Sequence, residues 1–397
     1  MKASSYRWVM LVLAFLSTFT MHLLIFSYSP LILPVISDMN ISYAQASFVF
    51  SACILMLIVL RIPWGMICDR LGLRMSMGLA LTLVGIFGFL RGFATNYEAL
   101  LVFQALLGIG LAAIMPCLPK LVFTWFPRKE TGSATGIYVA GFAIGNMLGL
   151  GLTPNLTMIV GWRGVFQFYG GWGLMLAFLW WILSRENPRA GSSQSFKGSL
   201  SLSVIRQREV WVLTGLFLCA AGVYDTVVLW SHPMFEFKGV SPVTAGLMAS
   251  MLPLGNLFAG PVVGKLSDLM KSRKIPILIL GFAIGPFLLL VEAGLEFCLW
   301  IAAFAVGFCS LGVVTLVLSI PAESPRLAPS IGSVTGIMTS LGNVGSFTLP
   351  VMMGYVKDVT GSFLLAILLL VVVAESVPVL GFMLKKSHYQ NRETRRR

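Results

Sequence analysis

Twelve runs of about 20 predominantly apolar residues follow one another along the 397-residue chain, separated by short charged or Pro/Gly/Asn-containing breaks. A helix that long, rising ~1.5 Å per residue, crosses the ~30 Å hydrocarbon core of a bilayer. The runs cover roughly 8–33, 44–66, 75–95, 98–122, 131–154, 164–184, 209–232, 242–265, 275–294, 297–320, 331–354 and 362–385. With 57% hydrophobic and only 11% charged residues, against about 25% charged in a soluble domain, the chain cannot present enough polar surface to water. The expected fold class is therefore all-α integral membrane. The first run is too long for a signal-peptide core and lacks a cleavage site, so it counts as a span. The six Cys show no CxxC or Cys/His spacing, which points to buried thiols rather than disulfides or a metal site.

The basic excess, 28 Lys and Arg against 15 Asp and Glu, acquires meaning from its location. If the amino terminus is cytoplasmic, 23 of these cations fall on the inner side and four outside (Arg91, Arg163, Lys238 and Lys357), leaving Arg61 alone within a span. That is the positive-inside bias, and it predicts a multi-pass inner (plasma) membrane protein with both termini cytoplasmic. Nucleic acid is not needed to explain the charge. The longest polar stretch, rich in Gly, Ser and charge, divides the spans six and six. The expected domains are a six-helix bundle over 1–184, a cytoplasmic linker over 185–208, and a second bundle with a basic tail over 209–397.

The halves echo each other. Gly65-x-x-x-Asp69 recurs as Gly264-x-x-x-Asp268, Ser133-x-Thr135-Gly136 as Ser333-x-Thr335-Gly336, and Gly145-Asn146 as Gly342-Asn343, all at offsets near 200. Two six-helix repeats predict pseudo-symmetric bundles around a central cavity, the architecture of secondary transporters.

The connection after span two reads Gly65-Met-Ile-Cys-Asp69-Arg70-Leu-Gly72-Leu-Arg74. It resembles the Gly-x-x-x-Asp-Arg-x-Gly-Arg-Arg loop of the major facilitator superfamily, whose twelve-helix fold would then cover the whole chain. As gating residues, Gly65 permits close helix approach and Gly72 stands in the loop. Asp69 can cap a helix amino terminus, and Arg70 and Arg74 can latch helix ends. Around Asp268 the second copy departs from the pattern: Leu269 stands where Arg would follow, so a weaker latch is expected. Span five, with Gly132, Gly136, Gly141, Gly145, Gly149 and Gly151, offers a groove for a neighbouring backbone and resembles the Gly-rich fifth span of the family, including its nitrate/nitrite and cyanate porters.

Polar groups inside the spans carry the candidate chemistry. Arg61 can snorkel to the interface or face the cavity as an anion ligand; burying a guanidinium costs at least ~2.5–3.5 kcal/mol, which an anion would offset. The run Arg61-Ile-Pro63-Trp64, with Arg74 thirteen residues on, resembles the second span of nitrate/nitrite porters, where the resemblance implies that the Arg holds the anion. Their second Arg, in span eight, has no counterpart within 259–264, so an organic anion with one carboxylate stands beside inorganic ones. His22, Asn146, Tyr224, Asn256 and Asn343 complete the candidate substrate contacts, each with a structural alternative as a hydrogen-bonding link between helices. Asp225 is the candidate proton-coupling carboxylate. Glu375 reads as a structural group, because the resemblance makes spans three, six, nine and twelve peripheral. Gln104 stands where the family often has Arg.

No Walker motif, HExxH or GxSxG occurs, so neither ATP hydrolysis nor a membrane hydrolase is indicated, and no cofactor is expected. These features lead to a transporter, not an enzyme, moving a small anion by alternating access through proton symport or anion exchange. Its expected partners are the substrate, a proton or counter-anion, and membrane lipids, with the protein acting as a monomer. The alternatives are a proton-coupled exporter of hydrophobic compounds and, from another class, a sensor or enzyme on a transporter scaffold.

Overall fold

The computed structural model describes residues 5–127, 129–187 and 206–384; most of the expected linker and the basic tail lie outside the described residues. Among the described residues there are fifteen α-helices and no strands. In chain order they are α1 (Arg7–Phe26), α2 (Ile32–Met39), α3 (Tyr43–Leu71), α4 (Leu73–Leu90), α5 (Tyr97–Leu111), α6 (Ile114–Trp125), α7 (Thr131–Gly151), α8 (Thr153–Leu183), α9 (Arg208–Phe237), α10 (Pro242–Ala249), α11 (Met251–Leu269), α12 (Lys274–Ala293), α13 (Glu296–Glu323), α14 (Ile331–Thr360) and α15 (Leu364–Phe382). They make twelve spans, because α1–α2, α5–α6 and α10–α11 each form one interrupted segment. Eleven spans meet both the length and the hydropathy expected of a membrane helix. The other is α14, 30 residues long but interrupted by Ser333, Thr335, Thr339, Ser340, Asn343, Ser346 and Thr348.

The helix ends follow local chemistry. Ser42 and Gln45 form a capping box that starts α3, and Asn96 caps α5 by accepting from the Ala99 N–H at 2.9 Å. Gly72, at φ +83°, turns the chain between α3 and α4, a left-handed position that favours glycine. Gly161 at φ +69° breaks α8 into a short first part from Thr153 and a long run after the kink to Leu183, which matches the sixth span expected over 164–184.

The described residues divide into two compact units. One lies within Met1–Phe196 and Phe235–Ser250, the other within Lys197–Met234 and Met251–Arg397. The segment Phe235–Ser250 groups with the first unit although the chain around it groups with the second. The segment 235–250 belongs to the first unit because Gly246 brings α10 onto the Leu150 carbonyl and Pro154, where a Cβ would come within 2.7 Å of each.

In the first unit, α1 packs along α7. Cβ atoms at Gly141 and Gly145 would strike the backbone of Phe15 and Phe19, and Thr18 Oγ1 donates to the Tyr138 carbonyl at 2.6 Å. The groove expected in span five therefore exists and α1 fills it, whereas Gly132 and Gly136 face open space. The second unit repeats the device: Gly345 of α14 lies on the Leu218 carbonyl of α9. Likewise Gly108 lies on Cys53 and Gly307 on Leu252. These contacts run at offsets of 199 and 200 and correct the sequence pairing. The packing counterpart of Gly145 is Gly345, not Gly342, and that of Asn146 is Ser346.

Candidate functional site

The first unit holds three of the candidate substrate contacts. Arg61 lies on α3, ten residues before its end at Leu71, about 15 Å along the helix axis. Both Arg61 and His22 are half-buried. The Arg61 guanidinium lies within electrostatic range of the His22 ring. His22 is walled by Phe142 of α7 at 4.6 Å and by Phe26 at 5.4 Å between ring centroids, and its Nδ1 is buried with no hydrogen-bond partner. A cation beside an imidazole with an unused nitrogen, against aromatic walls, suits a carboxylate on a compact organic body. Asn146 sits one turn beyond Phe142 on α7 but is almost wholly buried.

The second unit holds the others. Tyr224 and Asp225 are consecutive on α9; Tyr224 is buried and Asp225 half-buried. Asn256 of α11 and Asn343 of α14 are half-buried as well.

The gating candidates divide by unit. In the first, Asp69 pairs with Lys120 of α6 at 3.0 Å, and the same ammonium donates to the Cys68 carbonyl at 2.9 Å. Arg74 donates to the Trp181 carbonyl at 2.9 Å, and its N–H donates to Glu186 at 2.8 Å. Glu186 also closes over Gly72, 2.8 Å from where a Cβ would stand. Arg70 is exposed. A Cβ at Gly65 would meet Pro116 at an ordinary 3.7 Å, so within this packing the close approach expected there does not require glycine.

In the second unit Asp268 pairs with Arg273 at 2.8 Å. Arg273 also holds Glu323 through contacts of 2.7–3.2 Å and donates to Ser267 Oγ at 2.8 Å. The half that departs from the motif thus carries the larger ionic cluster, because Glu323 at the end of α13 supplies a second carboxylate. Asp268 remains 59% exposed, so its bond to Arg273 is screened by water.

One buried cation escaped the sequence reading. Arg91, expected on the outer side at the end of span three, is fully buried there. It donates to the Leu24 carbonyl at 3.2 Å and to Gln104 Oε1 at 3.0 Å, and lies over the Phe166 ring at 4.3 Å. Gln104 is therefore a partner for an arginine from another helix. The only signal in sequence was the coincidence of a cation at a span end with a buried amide. Glu375 of α15 lies against Gly285 of α12, in the packing of spans nine and twelve. Among the described residues no cluster of His, Cys, Asp and Glu could hold a metal ion.

Comparison with known proteins agrees with this architecture. The model of the Major Facilitator Superfamily matches residues 14–350. A probable L-galactonate transporter of Escherichia coli K12 is 26% identical over 84% of this chain and 79% of its own length. A probable galactarate/D-glucarate transporter of the same strain is 24% identical over 82% and 81%. Among solved structures, a bacterial homolog of the human lysosomal transporter Spinster superposes with a TM-score of 0.79 over 96% of this chain and 97% of that one, at 19% identity. That likeness concerns the fold.

Proposed function

The chain belongs to the major facilitator superfamily, and from that premise we propose that it moves a sugar acid, a polyhydroxylated carboxylate, across the membrane by alternating access. The observation that carries this reading is that His22, whose Nδ1 is buried with no hydrogen-bond partner and whose ring is walled by Phe142, lies within electrostatic range of the Arg61 guanidinium in the same unit. Arg61 takes the carboxylate through its planar fork, and His22 adds a hydrogen bond to the same end of the substrate. Within the same unit Asn146 offers an amide to a hydroxyl, a donor and acceptor that nitrate or cyanate could not fully use. The names of the curated relatives, galactonate and galactarate/D-glucarate transporters, support sugar acids over the nitrate/nitrite and cyanate branch. The 23-to-4 distribution of cations supports an inner-membrane protein with cytoplasmic termini.

The test is uptake into proteoliposomes with galactonate, galactarate, D-glucarate, nitrate, cyanate and neutral galactose. At least one sugar acid should be accumulated and competed by its congeners but not by galactose. Uptake of nitrate or cyanate with none of a sugar acid would overturn the substrate class.

Energy coupling is assigned to Asp225, a half-buried carboxylate in the span α9. Asp225→Asn should abolish accumulation driven by an inward proton gradient while leaving counterflow exchange within about threefold of wild type, since exchange needs no net proton movement. A pH dependence of uptake unchanged by the substitution would move the role to His22 or leave pure anion exchange.

A further inference from the structure

On the basic side of the second unit a cleft of about 540 Å³ opens between the start of α9, the α13–α14 connection and the end of α15. Gln207 lines it just before α9, Arg208, Glu209 and Val212 from α9, Arg326 from the connection, and Met383 and Leu384 from the far side. Two features fix its shape. Gly215 lets α9 close onto Leu380, 3.1 Å from where a Cβ would stand. Lys274 donates to the Phe382 and Leu384 carbonyls at 2.7 and 2.8 Å, holding the end of α15 in place.

Among the described residues neither Arg208 nor Arg326 makes an ion pair or hydrogen bond, and Glu209 offers one carboxylate against the two guanidinium groups. Arg208 also opens α9, where the amino-terminal end of the helix favours negative charge. The apolar surroundings are as telling. Trp211 on α9, Phe382 at the end of α15 and Met383 just after it are 49%, 69% and 46% exposed, and both helices are long and apolar enough to span a bilayer. Tryptophan at a span end marks the headgroup level. An anionic head would meet the arginines while its chains lay on Trp211 and Phe382.

We propose that this cleft binds the headgroup of an anionic phospholipid from the leaflet on the basic side of the protein. The phosphodiester takes the two guanidinium forks, Gln207 can donate to the remaining headgroup oxygens, and Val212, Met383 and Leu384 receive the glycerol and upper acyl carbons. A free phosphate ion shares the first of these contacts and none of the last. The site lies outside the proposed transport residues, so it stands or falls separately from them.

Native mass spectrometry of the delipidated full-length protein, titrated with dioleoyl-phosphatidylglycerol, dioleoyl-phosphatidylcholine or inorganic phosphate, tests it. Phosphatidylglycerol should bind at least tenfold tighter than phosphatidylcholine. Arg208→Gln/Arg326→Gln should weaken that binding about thirtyfold, with both side chains at the surface and so expendable for folding. The control Arg206→Gln/Lys265→Gln removes two cations from the same side, outside the cleft, and should change binding less than threefold. Arg326→Gln alone, outside the helices, should cost about fivefold and serves if the double variant does not fold. Equal affinity for the two lipids, or equal losses in the double variant and the control, would overturn the proposal. Saturation of the site by inorganic phosphate at concentrations that block the lipid would reassign it to the free ion.

Discussion

Arg61→Ala is expected to lower sugar-acid uptake by at least a hundredfold while the protein remains folded and in the membrane. The substitution removes the only cation the sequence leaves to coordinate a carboxylate within span two, and no second arginine occurs in span eight to share the load. A hydrogen bond to a charged group contributes about 1.5–3 kcal/mol net, and a bidentate pair makes two, so the loss reaches roughly 10² to 10⁴ in affinity. Arg61→Lys keeps the charge and loses the fork, and should fall between wild type and Ala. His22→Gln should weaken binding by about tenfold, because a neutral partner is lost while the ion pair survives. The measurement is initial uptake and thermal shift with the best sugar acid from the panel, at matched abundance. Competition by other carboxylates should vanish in the same order. An Arg61→Ala protein that binds and moves its substrate normally would end the anion reading and favour an exporter of neutral or hydrophobic compounds.

The spans and the repeat were legible in sequence because burial in lipid demands long apolar runs and because helix contacts demand glycine, two signals that survive in one dimension. Span eleven was read from its apolar run even though Ser, Thr and Asn interrupt it, and α14 has those same residues on a single 30-residue helix. The breaks at Ala112–Ala113 and Ser250 were not legible, since neither position carries a Pro or Gly signal of its own. The burial of Arg91 was not legible for a different reason. A cation at the end of a run reads as solvated unless its acceptors are known, and these come from Leu24 and Gln104, 67 and 13 residues away. The Arg61–His22 neighbourhood required the same long-range information: sequence put His22 near the middle of span one and Arg61 near the end of span two, and only the fold brings them within electrostatic range. The repeat shows the limit most sharply. Matching letters paired Gly145-Asn146 with Gly342-Asn343, whereas packing pairs the glycines that touch a backbone carbonyl on the neighbouring span.

That difference can be measured by adding one methyl group at a time. Gly→Ala within a helix gains roughly 0.8–1 kcal/mol of intrinsic propensity, so an alanine that meets nothing should stabilise. Gly136 meets nothing within 4 Å, and Gly136→Ala should raise the unfolding midpoint in detergent slightly or leave it unchanged. At Gly145 the new Cβ lands on the carbonyl of Phe19, and a backbone inside a helix cannot swing aside, so α1 and α7 must separate. Overpacking of that kind costs about 1–3 kcal/mol, enough to reverse the sign and leave a net loss of about 2 kcal/mol at the upper end. Gly345→Ala meets the Leu218 carbonyl and should behave like Gly145→Ala. Gly342→Ala meets only the Phe217 side chain, which can turn about χ1 and χ2, so its loss should be the smaller of the two in the second unit. The expected order of midpoints is Gly136→Ala at or above wild type, then Gly342→Ala, with Gly145→Ala and Gly345→Ala lowest and together. A reversal of Gly342 and Gly345 would mean that the sequence register, not the carbonyl contact, identifies the equivalent positions. Gly145→Ala as stable as Gly136→Ala would mean that α1 and α7 do not pack through that glycine.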